Sequence, residues 1–114
     1  MKEFLELLNK TTIDLSAVQA VEEKYHCVLP EEMKQIVSYQ GERFYDDWRL
    51  LSLKEILGAD EYLGIDFAEK GIIPVIDLFD NDFIMFGVEK GVWIKMNIVD
   101  ECIFDSSKAL DCFV

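Results

Sequence analysis

The sequence predicts an α+β fold in which helices pack on a mainly antiparallel β-sheet, and three observations carry that expectation. In the first half, apolar residues recur at spacings of three and four between helix start and stop signals. In the second half they form short runs such as IIPVI, FIMFGV and GVWIKMNI. The connection between the last two, EKG, is short enough for an antiparallel hairpin. A chain of 114 residues fits one domain, spanning 1–114, with a single core.

The first clear helix is DLSAVQAVEEKYH, where Leu15, Val18, Val21 and Tyr25 make one apolar stripe and Ser16 or Asp14 is available to cap. LPEEMKQIVSYQG follows, with Pro30 in the first turn, Glu31 and Glu32 near the positive end of the dipole, and Gly41 at the stop. Met33, Ile36, Val37 and Gln40 are expected to face the core. WRLLSLKEIL reads as a short strand at Arg49 to Leu51 and then a capping box, with Ser52 as cap and Glu55 reaching back. Gly58 and Gly64 weaken that helix, so a loop is expected until Ile72.

IIPVI is apolar on both faces, and Pro74, which lacks a ladder donor, points to an edge position or a strand end. FIMFGV is apolar at both parities and is expected to be covered on both faces. GVWIKMNI alternates, with Val92, Ile94, Met96 and Ile98 on one face and Trp93, Lys95 and Asn97 on a half-exposed one. A further strand near Cys102 to Phe104 precedes DSSKALDCFV, which reads as a capped terminal helix.

Charge limits the partners. Eleven Lys plus Arg stand against 23 Asp plus Glu, a net charge of −12. Such a molecule is repelled by nucleic-acid backbones and anionic membranes, so neither is an expected partner, whereas a basic protein is attracted. The opening MKEFLELLNK is interrupted by Glu3 and Glu6 and lacks a signal-like apolar core, and nowhere do about 20 apolar residues run together. A cytoplasmic location is expected. Cys27, Cys102 and Cys112 are odd in number, form no C-x-x-C pair and sit beside apolar residues, so they read as buried free thiols.

Three carboxylates within DLFDND, Asp77, Asp80 and Asp82, have three possible uses: a metal site, an acid/base site or a solvated turn. The spacing lacks the D-x-D-x-D-G pattern of a calcium loop, and Leu78 and Phe79 stand where ligands or glycine would be needed. His26, the one histidine, is expected to be partly buried at a helix end, and no G-x-S-x-G, P-loop or G-x-G-x-x-G is present. No enzyme activity, metal or cofactor is therefore expected. Binding has more support, because Trp48 and Trp93 lie among charged residues, the mixture that concentrates energy at interfaces. Trp48 either anchors a partner or packs under the sheet, and Trp93 is the better anchor because its strand's other parity already supplies core residues. The candidate partner-binding residues are Asp46, Asp47, Trp48, Asp77, Phe79, Asp80, Asp82 and Trp93. Asp60, Glu61, Glu89, Asp100 and Glu101 offer an alternative acidic face.

The order of these parts, LPEEMKQIVSYQG, a Trp before LLSLKEIL, IIPVI with its acidic turn, a hairpin and a capped close, resembles the SUKH superfamily (Smi/Knr-like) over roughly residues 15 to 113. That resemblance implies helices packed on a mainly antiparallel sheet. It also implies a non-catalytic immunity protein that neutralises a cognate bacterial toxin by occluding its active surface, or else a regulatory scaffold acting on an endogenous partner. The acidity independently favours a basic toxin, such as a nuclease built to hold a polyanion.

Overall fold

A computed structural model describes residues 2–110, which form α1 (Lys2–Leu8), α2 (Leu15–Tyr25), α3 (Glu31–Ser38), β1 (Arg49–Leu50), α4 (Leu53–Leu57), α5 (Ala59–Leu63), α6 (Phe67–Lys70), β2 (Ile72–Asp77), β3 (Asp82–Gly87), β4 (Val92–Asn97) and β5 (Cys102–Ser107). The arrangement is α+β, with the helices packed on an antiparallel sheet of order β1-β2-β3-β4-β5.

Of the two available caps on α2, Asp14 is the one used, its carboxylate accepting from the Ser16 and Ala17 amides. Ala17, Val18, Val21 and Tyr25 are buried along one face, whereas Leu15 is 72% exposed because the first helical position points away from the core. The Tyr25 hydroxyl donates to the Ile56 carbonyl at 2.7 Å and ties α2 to α4. α3 stops at Ser38, earlier than Gly41, because Tyr39 turns to an extended conformation and buries its ring edge-on against Phe4, 5.2 Å away. Gln40 is consequently exposed rather than facing the core. The periodicity does not predict helix α1, yet Phe4 and Leu8, four residues apart, are each only 1% exposed.

The capping box at α4 forms as expected: the Glu55 amide donates to Ser52 Oγ at 3.2 Å and the Ser52 amide to Glu55 Oε1 at 3.0 Å. Ser52→Ala should cost about 1 kcal/mol. The expected reading is a lower urea midpoint at unchanged slope.

Within the segment before Ile72, residues 59–63 and 67–70 are helical rather than part of a loop. Gly58 and Gly64 end α4 and α5 instead of weakening one longer helix, and Gly64 and Gly71, at φ of 69° and 70°, close α5 and α6 in left-handed conformations. Asp66 caps α6 by accepting from the Glu69 amide, and Phe67 anchors it in the core with no exposed surface.

Pro74 lies on an internal strand, yet its missing donor leaves no gap: β1 pairs only through Arg49 with Asp77 and Leu50 with Ile76, and does not reach it. β3 is covered on both faces, as its parity predicts. β4 departs from expectation at Trp93, which is 2% exposed. Its register partner Phe86 packs edge-on at 5.2 Å, and its indole N–H donates to Glu32 Oε1 of α3 at 2.8 Å. α3 therefore covers the face that alternation alone leaves half wet, and only Lys95 and Asn97 on it remain partly exposed. β5 runs through Asp105, Ser106 and Ser107, which read as a helix start in the sequence; residues 111–114, including Cys112, lie outside the described residues. On this outer strand Cys102 is exposed, and Cys27 is only half-buried, so neither is the buried thiol expected. His26 is also exposed, because it takes the left-handed position that ends α2.

Candidate functional site

Strand polarity decides where the acidic turns go. Arg49 at the start of β1 pairs with Asp77 at the end of β2, and Asp82 at the start of β3 pairs with Asn97 at the end of β4. The turns at 45–48, 78–81 and 98–101 therefore project from one end of the sheet. The first is closed by the Tyr45 amide to the Trp48 carbonyl, and the second and third are tied by the Ile98 amide to the Asn81 carbonyl. Asp46, Asp47, Asp80 and Asp100 are exposed at this end, interleaved with exposed Phe44 (69%), Phe79 (41%) and Val99 (70%). The turn between β3 and β4, with Glu89, lies at the opposite end.

Within the middle turn the carboxylates have structural duties. The Phe79 amide donates to Asp77 Oδ1 at 2.8 Å, and the Asn97 side-chain amide to Asp82 Oδ1 at 2.9 Å. Phe79, Asp80 and Asn81 take left-handed conformations in succession, with φ of 69°, 52° and 67°. For Phe79 that conformation costs on the order of 1 kcal/mol, and it holds the ring out at the tip. The polar-turn use of DLFDND is thus the one its hydrogen bonds describe. Among the described residues no group of three or more His, Cys, Asp or Glu is placed to hold a metal ion.

Six of the eight candidate residues, Asp46, Asp47, Asp77, Phe79, Asp80 and Asp82, come together at this end of the sheet. The two tryptophans do not join them as exposed anchors. Trp48 is 6% exposed, stacked on Tyr45 with ring centroids 4.1 Å apart and edge-on to Phe4 at 5.2 Å, so it packs into the core. Trp93 is held inside by Phe86 and Glu32, as described above.

Beside the acidic end, a cleft of about 180 Å³ opens between α4–α5 and the sheet. Arg49 sits at its mouth, donating through Nη1 to Glu55 Oε2 at 2.6 Å and through Nη2 to Asp77 Oδ2 at 3.3 Å. Burial alone would raise the Glu55 carboxyl and lower the Arg49 guanidinium; the hydrogen bonds between them reverse both, leaving Glu55 below its ordinary value and Arg49 above it. Leu51, Ala59 and Phe83 line the interior, and Tyr62, 66% exposed, stands at the side. The Arg49 guanidinium also lies 5.8 Å from the Phe44 ring. Phe44, Val99 and Tyr62 lie outside the candidate set, and Asp100 belongs to the alternative acidic face. A signal for Val99 and Asp100 exists, since alternate turns of an antiparallel meander share an end.

Fold and site together define a class: a small acidic α+β protein whose notable surface is an open, carboxylate-rich sheet end with a shallow cleft beside it. Residues 12–108 match the SMI1 / KNR4 family (SUKH-1), and the chain belongs to that family. No curated protein and no solved structure matches it. Among the described residues no helix is long and apolar enough to cross a membrane.

Proposed function

We propose that this protein is a cytoplasmic, non-catalytic immunity protein that neutralises a basic toxin, such as a nuclease, by covering its active surface. The observation that carries the reading is the gathering of Asp46, Asp47, Asp80 and Asp100 at one end of the sheet with Phe44, Phe79 and Val99 between them. Carboxylates steer a basic partner, and the exposed apolar side chains supply the contact that holds it. Family membership supports protein binding as the mode of action.

The test begins with the genes next to the one encoding this chain. A neighbour encoding a large secreted toxin is expected; co-expression should restore growth to cells making its toxic domain, and the two proteins should co-elute. Absence of rescue and of complex with every adjacent toxin domain would leave the regulatory scaffold, binding an endogenous partner, as the better reading.

A further inference from the structure

The cleft beside Arg49 has a chemistry distinct from that of the exposed acidic tips, and its size is the first clue to an occupant. At about 180 Å³ it is smaller than the roughly 300–1,000 Å³ of pockets that take cofactors and drug-sized ligands. It has room for one large side chain. Its interior is apolar, with Leu51, Ala59 and Phe83 at 4%, 2% and 5% exposure, while its mouth carries two carboxylates, Glu55 and Asp77, against the single guanidinium of Arg49.

The two carboxylates are not equally engaged. Arg49 approaches Glu55 to 2.6 Å but stands 3.3 Å from Asp77, beyond the roughly 2.7–2.9 Å of a strong charge-assisted bond. Asp77 accepts the Phe79 amide through Oδ1 at 2.8 Å, so Oδ2, held only by the longer Arg49 contact, is the oxygen with acceptor capacity left, and the mouth has one negative charge in excess. Tyr62 leans on Gly58, whose added Cβ would lie 3.6 Å from Tyr62 Cε2, and its ring is otherwise open to solvent beside the cleft.

From these features we infer that the cleft receives an arginine side chain of the protein partner. The aliphatic stem lies on Leu51, Ala59 and Phe83, the guanidinium pairs with Asp77 and stacks on Tyr62, and the excess negative charge at the mouth selects a cation over an acidic or neutral tip. Arginine fits better than lysine because a planar guanidinium can stack and pair at once, whereas an ammonium is a compact, strongly hydrated point charge. This assignment rests on the protein-binding reading above and narrows it to one contact.

Two measurements test it, and the first needs no partner. Titrating the isotope-labelled protein with N-acetyl-arginine methylamide should shift the backbone resonances of Ala59, Tyr62 and Leu63 saturably. The norleucine counterpart should bind about tenfold more weakly, the worth of one charge-assisted hydrogen bond, and Asp77→Asn should erase the difference. Equal binding of the norleucine or lysine counterpart, or no saturable shift at these residues, overturns the arginine assignment. In the second, Tyr62→Ala, a change at a 66% exposed residue, and Asp77→Asn should each weaken the complex with the adjacent toxin domain about tenfold or more. Affinities within twofold of the parent show that the cleft is not the contact while leaving the immunity reading intact. A parent protein that binds no toxin defeats that reading instead, and the arginine titration then decides this one alone.

Discussion

Trp93→Ala should destabilise the protein by about 3 to 5 kcal/mol, the usual consequence of emptying an aromatic site in a packed core. The indole is 2% exposed, its ring edge contacts Phe86, and its N–H satisfies Glu32. Truncation opens a cavity between α3 and the sheet and removes the hydrogen bond that joins them. For a chain of this length the loss corresponds to a fall in Tm of roughly 10–25 °C. Trp93→Phe separates the two contributions, since it keeps most of the packing and removes only the donor; a loss of about 1 kcal/mol is expected. Thermal unfolding followed by circular dichroism reads both. A Trp93→Ala protein melting within two or three degrees of the parent, about what a surface substitution produces, would return Trp93 to the surface.

The contrast between Trp93 and Ser52 shows what one-dimensional pattern carries. Ser52 and Glu55 are three residues apart and complete their hydrogen bonds within one helical turn, so the capping box is visible in the sequence. Trp93 alternates with core residues and lies next to Lys95 in its own parity, and nothing local says that α3, sixty residues earlier, covers that parity. Burial decided by a distant element is the part that alternation misses. The same reason hides α1, whose Phe4 is buried by Tyr39 and Trp48. At 58–71 the difficulty is of another kind. Gly58 and Gly64 look locally like breaks in one helix, whereas each terminates a separate short one, and helices of five and four residues present too few turns for a period to emerge.

The acidic surface divides in the same way. Each run of carboxylates is plain in the sequence, and strand polarity explains why 46–47, 80 and 100 share an end while Glu89 does not. What cannot be read locally is which acids are free. Asp77 is engaged by Arg49 and the Phe79 amide, Asp82 by Asn97, and Glu101 by Lys70 at 3.0 Å. These partners come from other strands or helices, or from a turn geometry that sequence spacing leaves open. Of these contacts only the ion pairs to Arg49 and Lys70 offset charge, so composition overstates the charge available for steering at Asp77 and Glu101.

Those free acids define the last expected result. Changing Asp46, Asp47, Asp80 and Asp100 together to Asn should slow association with the adjacent toxin domain by about tenfold or more at low ionic strength, and should flatten the dependence of the on-rate on salt. A steered pair can approach about 10⁸ M⁻¹s⁻¹, against roughly 10⁵ to 10⁶ M⁻¹s⁻¹ without steering. Screening beyond about 8 Å at physiological ionic strength removes the long-range part of that advantage. Dissociation should change less, because contacts through Phe44 and Phe79 persist when the field is screened. Net charge is separated from its placement by a second variant, in which Glu23, Glu31, Glu69 and Glu89, exposed on the helices and the opposite turn, are changed to Gln. Both variants lose four negative charges, but the first should lose on-rate much more than the second. Stopped-flow mixing across a salt series gives both rates. Equal slowing in the two variants would mean that the −12 acts as an undirected field, and an on-rate indifferent to salt would leave the acidity as a property of solubility.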